Sequence, residues 1–111
     1  MARRGSELVV ISWRDIPAQV NARAGSDKHQ VVLPRRFQKA IDDAAMVAGK
    51  KTASEYVGEW RRAASAIPSG GALNTAAEQV ARTLEAEFPR ARLAKFVANG
   101  GFDPDATEAR P

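Results

Sequence analysis

The chain has 111 residues, 44% of them hydrophobic and 27% charged, with a formal net charge of +4 and no cysteine. That composition fits a folded domain with a real core rather than a disordered segment, and it excludes disulfides, thiolate catalysis and cysteine-ligated metal. Uninterrupted apolar runs such as Leu8 to Ile11 are too short for a signal-peptide core or a membrane span, so a cytoplasmic protein with no membrane partner is expected.

Met1 to Ser6 is a polar lead with Arg3 and Arg4, expected to fray. Leu8-Val9-Val10-Ile11 followed by Trp13 is β-branched and continuous and predicts a strand covered on both faces. Alternation places Trp13 with Val9 and Ile11, which makes it a core residue. Ile16 precedes a proline and must be extended, and Gln19 to Arg23 predicts a second strand. Gly25-Ser26-Asp27 is turn chemistry, and His29 to Leu33 is a short third extended segment or the arm leading into the helix.

The period then changes. Phe37, Ala40, Ile41, Ala44, Ala45 and Ala48 fall on one helical face, with Pro34 in the first turn and Gly49 as the stop. Thr52 and Glu55 spell a capping box that opens a second helix, whose buried face would be Tyr56, Val57, Trp60, Ala64 and Ile67. Pro68 to Gly71 breaks the chain. Thr75 and Glu78 spell another box for a third helix with the stripe Ala77, Val80, Ala81, Leu84 and Phe88. After Pro89 a short helix carries Leu93, Phe96 and Val97 to Gly100-Gly101, and Asp103 to Pro111 is expected to be loose. The order predicts an α+β fold: a small two- or three-stranded antiparallel sheet at the N-terminus packed by amphipathic helices, with a C-terminal helical extension. The expected division is 1–68, a helical extension over 69–102, and a flexible tail over 103–111. Exposure of Leu84, Phe88 or Phe96 would mark a contact between chains, and a homo-oligomer through these helices is kept open.

Chemistry is sparse. No phosphate-cradling glycine loop, nucleophile elbow or zinc-protease motif is present. His29 is the only histidine, and the simpler reading is a partly exposed strand residue rather than a catalytic group or ligand. Asp42 and Asp43 are adjacent on a helix and diverge by about 100°, so they cannot work as a paired acid and base. Arg35, Arg36 and Lys39 form a basic patch able to meet a phosphate or an acidic protein surface. Trp60, at helical spacing from Tyr56 and Ala64, reads as a core anchor. The stretch Trp13-Arg14-Asp15 before Pro17 is either a corner, closed with help from Gln19, or a polar site held out for a partner.

"WRDIPAQV", then "RRFQKAIDDAAMVAG", then "SEYVGEWRR" resemble, as three ordered blocks, the small bacterial virulence factor domain family. The matching positions are Trp13 to Val20; Arg36, Phe37, Ala40, Ile41, Asp42, Ala44, Ala45 and Met46; and Tyr56, Trp60, Arg61 and Arg62, roughly the first 65 residues. The departures are Pro34 where a serine cap is common and fewer basic residues in the Gly25 to Gln30 loop. The family has no established activity. The resemblance implies an accessory role beside folate- and corrinoid-linked methyl-transfer enzymes, in one-carbon or methionine metabolism. It favours Trp13, Arg14, Asp15, Gln19, Arg61 and Arg62 as a partner-binding patch. The resulting expectation is a non-catalytic adaptor that binds protein partners, without cofactor or metal. Two alternatives stand beside it: a nucleic-acid binder using the basic first two thirds, and a small-molecule-binding subunit of an enzyme complex.

Overall fold

A computed structural model describes residues 7–67 and 72–105. Their order is β1 (Glu7–Trp13), β2 (Ile16–Ala24), β3 (Asp27–Val32), α1 (Arg35–Val47), α2 (Ala53–Val57), β4 (Trp60–Ala66), α3 (Leu73–Glu87) and α4 (Arg90–Ala98). The strands make one antiparallel sheet in the order β3-β2-β1-β4, so the fold is α+β with a fourth strand beyond the two or three predicted. The apolar β1 takes a central place because both its edges can then be paired, and that is where a continuous Leu-Val-Val-Ile run costs least. The expected cover on both faces is corrected, since the helices pack on one face and the other carries an open cleft beside Val9.

In antiparallel pairs, opposite residues share a face. Leu8, Val20 and Ala22 lie on the face that α1 and α3 cover, and they join Phe37, Ile41, Ala44, Ala77, Ala81, Phe88, Leu93 and Phe96 in one core cluster. Val9, Asn21, Gln30 and Ala64 lie across from one another on the opposite face. Simple alternation would leave Trp13 with Val9. The pairing of β1 with β2 slips between Ile11 and Ser12, leaving Ala18 as the extra residue on β2, and Trp13, 0% exposed, joins the core cluster.

The helix expected to run from Thr52 to Ile67 is corrected. Its start is as predicted: Thr52 and Glu55 make the reciprocal capping box. After five residues, however, the helix ends at Gly58, and Trp60–Ala66 becomes β4, paired along its whole length with β1 from Trp13↔Trp60 to Glu7↔Ala66. Alanine and arginine favour a helix locally, but a helix there would leave one edge of the apolar β1 unpaired in the middle of the fold, and the sheet wins. The predicted buried face goes with it. Ile67 is buried and Tyr56 and Trp60 pack partly on the core, while Ala64 is exposed and Val57 is 61% exposed.

The second capping box is also not used. α3 starts at Leu73 behind Ala72, so Thr75 already lies inside the helix and caps nothing. Its predicted stripe holds: Ala77, Ala81 and Phe88 are buried, and Val80 and Leu84 pack against the core. Phe88 and Phe96 meet edge to face with centroids 5.2 Å apart, so these aromatics serve the chain's own core. α4 lies along α1. The expected break at Pro68 to Gly71, the fraying lead at 1–6 and residues 106–111 of the expected tail lie outside the described residues. Asp103, by contrast, is tied: its backbone N–H donates to Asp15 Oδ2 at 2.7 Å. No helix among the described residues is long and apolar enough to cross a membrane.

Candidate functional site

The stretch singled out in the sequence is the β1–β2 hairpin turn, made by Arg14 and Asp15 between the paired Trp13 and Ile16. Arg14 has φ +52, the left-handed region that costs a residue with a side chain about 1 kcal/mol. Its surroundings hold it there. The Arg14 backbone N–H donates to Glu59 O at 3.0 Å, Nε meets Glu59 Oε1 at 3.1 Å, and Nη1 donates to Gly100 O at 3.0 Å. The guanidinium also lies 4.3 Å from the Phe102 ring centroid and 5.2 Å from that of Trp13. Only 11% of this side chain is exposed.

Asp15 completes the corner. Its backbone N–H donates to Gly101 O, one carboxylate oxygen accepts from Asp103 N–H, and the other faces Arg61 Nη1 at 3.5 Å. Trp13 donates its indole N–H to Tyr56 O at 2.8 Å and stacks on the Tyr56 ring, which in turn meets Trp60 edge to face. The hairpin, the α2–β4 junction and the end of α4 are therefore stitched at one point. Charge is balanced inside it: Glu59 sits between Arg14 and Lys50, 3.7 Å away. The arrangement positions β4 and the C-terminal turn. Its charged groups are committed to one another rather than aimed at an outside reactant.

Gln19 stands apart from the corner. It accepts from Gln30 Nε2 at 2.7 Å across β2 and β3. Arg61 reaches the corner through Asp15, whereas Arg62 is opposite Ile11 and borders a cleft on the sheet face with Val9, Asn21, Arg23, Lys28 and Gln30. The basic patch is divided too. Arg36 is spent on the C-terminal carbonyls of α3, donating to Glu85 O at 2.8 Å and Phe88 O at 3.2 Å. Lys39 pairs with Asp43 on its own helix, and Asp42 accepts from Gln38. Arg35 is exposed and borders a groove of about 520 Å³ between α1 and α4, with Lys39, Ala40, Arg90, Leu93, Ala94 and Val97. His29 faces Glu78 of α3 at 3.5 Å, at the surface. Among the described residues no cluster of His, Asp and Glu is placed to hold a metal ion.

A family model described as virulence factor matches residues 11–97. The chain belongs to the virulence factor family. No curated protein and no solved structure matches it. The virulence factor match runs well past the first 65 residues that carry the sequence blocks and takes in α3 and most of α4. That agrees with the packing, because both helices supply side chains to the core.

Sequence reasoning about the virulence factor blocks missed half of the corner. Glu59, Gly100, Gly101, Phe102 and Asp103 are its other members. Gly100 and Gly101 do carry a signal, since two glycines exceed what one helix stop needs. Nothing local shows that they end up against Trp13 and Arg14. Arg90, Ala94 and Val97 were likewise invisible as groove residues, because the pairing of α4 with α1 is set by the core.

Proposed function

We propose that the protein is a non-catalytic accessory factor that docks partner proteins, with the groove between α1 and α4 as its main contact face. The observation that carries this reading is the groove's composition. Ala40, Leu93, Ala94 and Val97 make an apolar floor; Arg35 and Arg90 stand at its border, together with Asp42 and with Lys39 and Asp43, which neutralise each other. Arg35 and Arg90 are exposed and form no ion pair among the described residues. An apolar strip bordered by these two unpaired arginines suits an amphipathic protein segment that carries a carboxylate opposite each; the strip supplies affinity and the charges supply register and encounter rate. The virulence factor family's association with folate- and corrinoid-linked methyl transfer supplies candidate partners in a bacterial cytoplasm. Trp13, Arg14 and Asp15 serve this role by holding the scaffold in shape.

Affinity capture from the native cell with the Arg35→Glu/Arg90→Glu double variant tests the reading. Loss of specific partners, with the fold intact by circular dichroism, is the expected result. Unchanged capture by the double variant would refute the groove.

A second reading, nucleic-acid binding on the open sheet face, is favoured by one cleft. It is lined by Asn21, Arg23, Lys28, Gln30 and Arg62, and the buried Asn21 Oδ1 has no hydrogen-bond partner among the described residues. Against it, Arg23 is already paired with Glu7 at 2.8 Å, and the one aromatic side chain lining the cleft, His29, is engaged with Glu78 of α3 at 3.5 Å rather than held out for a base to stack on. Filter binding at low and high salt separates the readings, because phosphate contacts release counterions and weaken steeply with salt.

A further inference from the structure

We infer that β4 is an acceptor edge, completed in the working complex by an extended acidic segment of a partner protein that adds as a fifth strand. This surface is separate from the α1–α4 groove and does not depend on it.

The first observation is that β4 is open among the described residues. It is outermost in the sheet, pairs on one side with β1 over all seven residues, and is exposed from Arg61 to Ala66. An edge strand presents a row of backbone donors and acceptors to any extended chain, and folded proteins ordinarily guard such rows with proline, inward charge, bulges or a covering helix. The opposite edge, β3, is guarded: it opens with Asp27 and Lys28, and α3 packs against it. β4 has no proline and no lysine, its pairing with β1 is uninterrupted, and Ala63-Ala64-Ser65-Ala66 puts only small side chains along it. A second backbone can therefore approach without steric resistance.

The second observation is that the edge is held ready. Its entry is pinned by the corner, through Arg14 N–H to Glu59 O and the Arg14–Glu59 ion pair just before Trp60. A strand already held straight loses little further freedom when another joins it.

Charge then selects the occupant. Arg61 and Arg62 are adjacent in the strand and project to opposite faces; Arg61 is engaged with Asp15, so the cation an added strand meets is Arg62, near one end. β4 contains no carboxylate, and Arg62 makes no ion pair among the described residues. A second copy of this chain would bring the same two arginines, no acidic residue in its β4, and a further net charge of +4. A partner segment with neighbouring Asp or Glu residues supplies what is missing.

The test uses the full chain and a fluorescent Val/Thr-rich peptide of about ten residues with adjacent Asp and Glu near one end, the length a strand pairing requires. The expected result is saturable binding that weakens by about tenfold from low to high salt and falls similarly with Arg62→Glu. N-methylation of one alternate set of peptide amides should abolish binding, and methylation of the other set should leave it intact. The same peptide with lysines in place of the acids should not bind. Equal tolerance of both methylation patterns, or binding unaffected by Arg62→Glu, would overturn the inference. Sedimentation of the protein alone supplies a further check. A dimer whose outward β4 amides are protected from exchange would assign the edge to a second copy and overturn the acidic partner.

Discussion

Gly101 shows how much of this fold rests on single positions. Its φ is +99, and a Cβ built there would lie 2.9 Å from Trp13 Cζ3 and 3.1 Å from Cε3. The ring cannot retreat, because its indole N–H is bonded to Tyr56 O and its face is stacked on Tyr56. Gly101→Ala should therefore cost about 3 kcal/mol, from the backbone conformation and the overpacked indole together. Gly25 offers the control. It also has positive φ (+60) but nothing lies within 4 Å of its added Cβ, so Gly25→Ala should cost only about 1 kcal/mol. Thermal unfolding monitored by circular dichroism checks the contrast: a fall of about 10 °C or more for the first, and a few degrees for the second. Equal falls would mean that the Trp13 contact carries no weight. The sequence showed that Trp13, Arg14 and Asp15 form a unit. It could not show that the unit closes on glycines more than eighty residues away.

At the scale of the element, α2 and β4 set local signals against tertiary ones. The capping box was legible because its chemistry is local: Thr52 and Glu55 satisfy each other within one turn. The Glu55 carboxylate accepts from the backbone N–H groups of Thr52 and Lys51, and these bonds hold its pKa below the ordinary glutamate value. A depressed folded pKa contributes stability that is complete above the unfolded value and disappears as pH falls through the folded one. Protection of the Glu55 and Tyr56 amides should thus be flat from neutral pH down to the ordinary glutamate range and fall below it. Glu55→Gln, which can still complete the box, should remove that acid dependence. A wild-type profile identical to the variant's would show that the carboxylate does not act through its charge.

The strand beyond the box was not legible, because Trp60–Ala66 is made of good helix formers whose conformation is dictated by the neighbouring strand. Hydrogen exchange distinguishes the outcomes. An edge strand turns alternate amides toward β1 and toward solvent, so protection should alternate from Arg61 to Ala66. Uniform protection would restore the helix.

The whole molecule depends on its last third for a core. Phe88, Leu93 and Phe96 are each buried, and at about 2 kcal/mol per side chain their combined burial is comparable to the entire stability of a small domain. A chain ending at Ile67 should therefore lack fixed tertiary packing: the near-UV signal of Trp13 and Trp60 should disappear and a hydrophobic dye should bind. A cooperative unfolding transition in that fragment would show that the sheet and α1 suffice alone. The family match, which continues to residue 97, agrees with a core that extends into α4.

By itself the sequence determined the α+β class, the first two strands, α1, the first turn of α2, the apolar stripe of α3, and membership of a family, because each is written in periodicity, capping chemistry or contiguous motifs. Only the tertiary structure decided that β4 is a strand, that Trp13 packs on and bonds to Tyr56, that Gln19 leaves the corner, and that Gly100 to Asp103 closes it. The physical reason is common to all four. Each depends on pairing or packing between segments far apart in the chain, where the free energy of completing a sheet or filling a core outweighs the preference of any few residues.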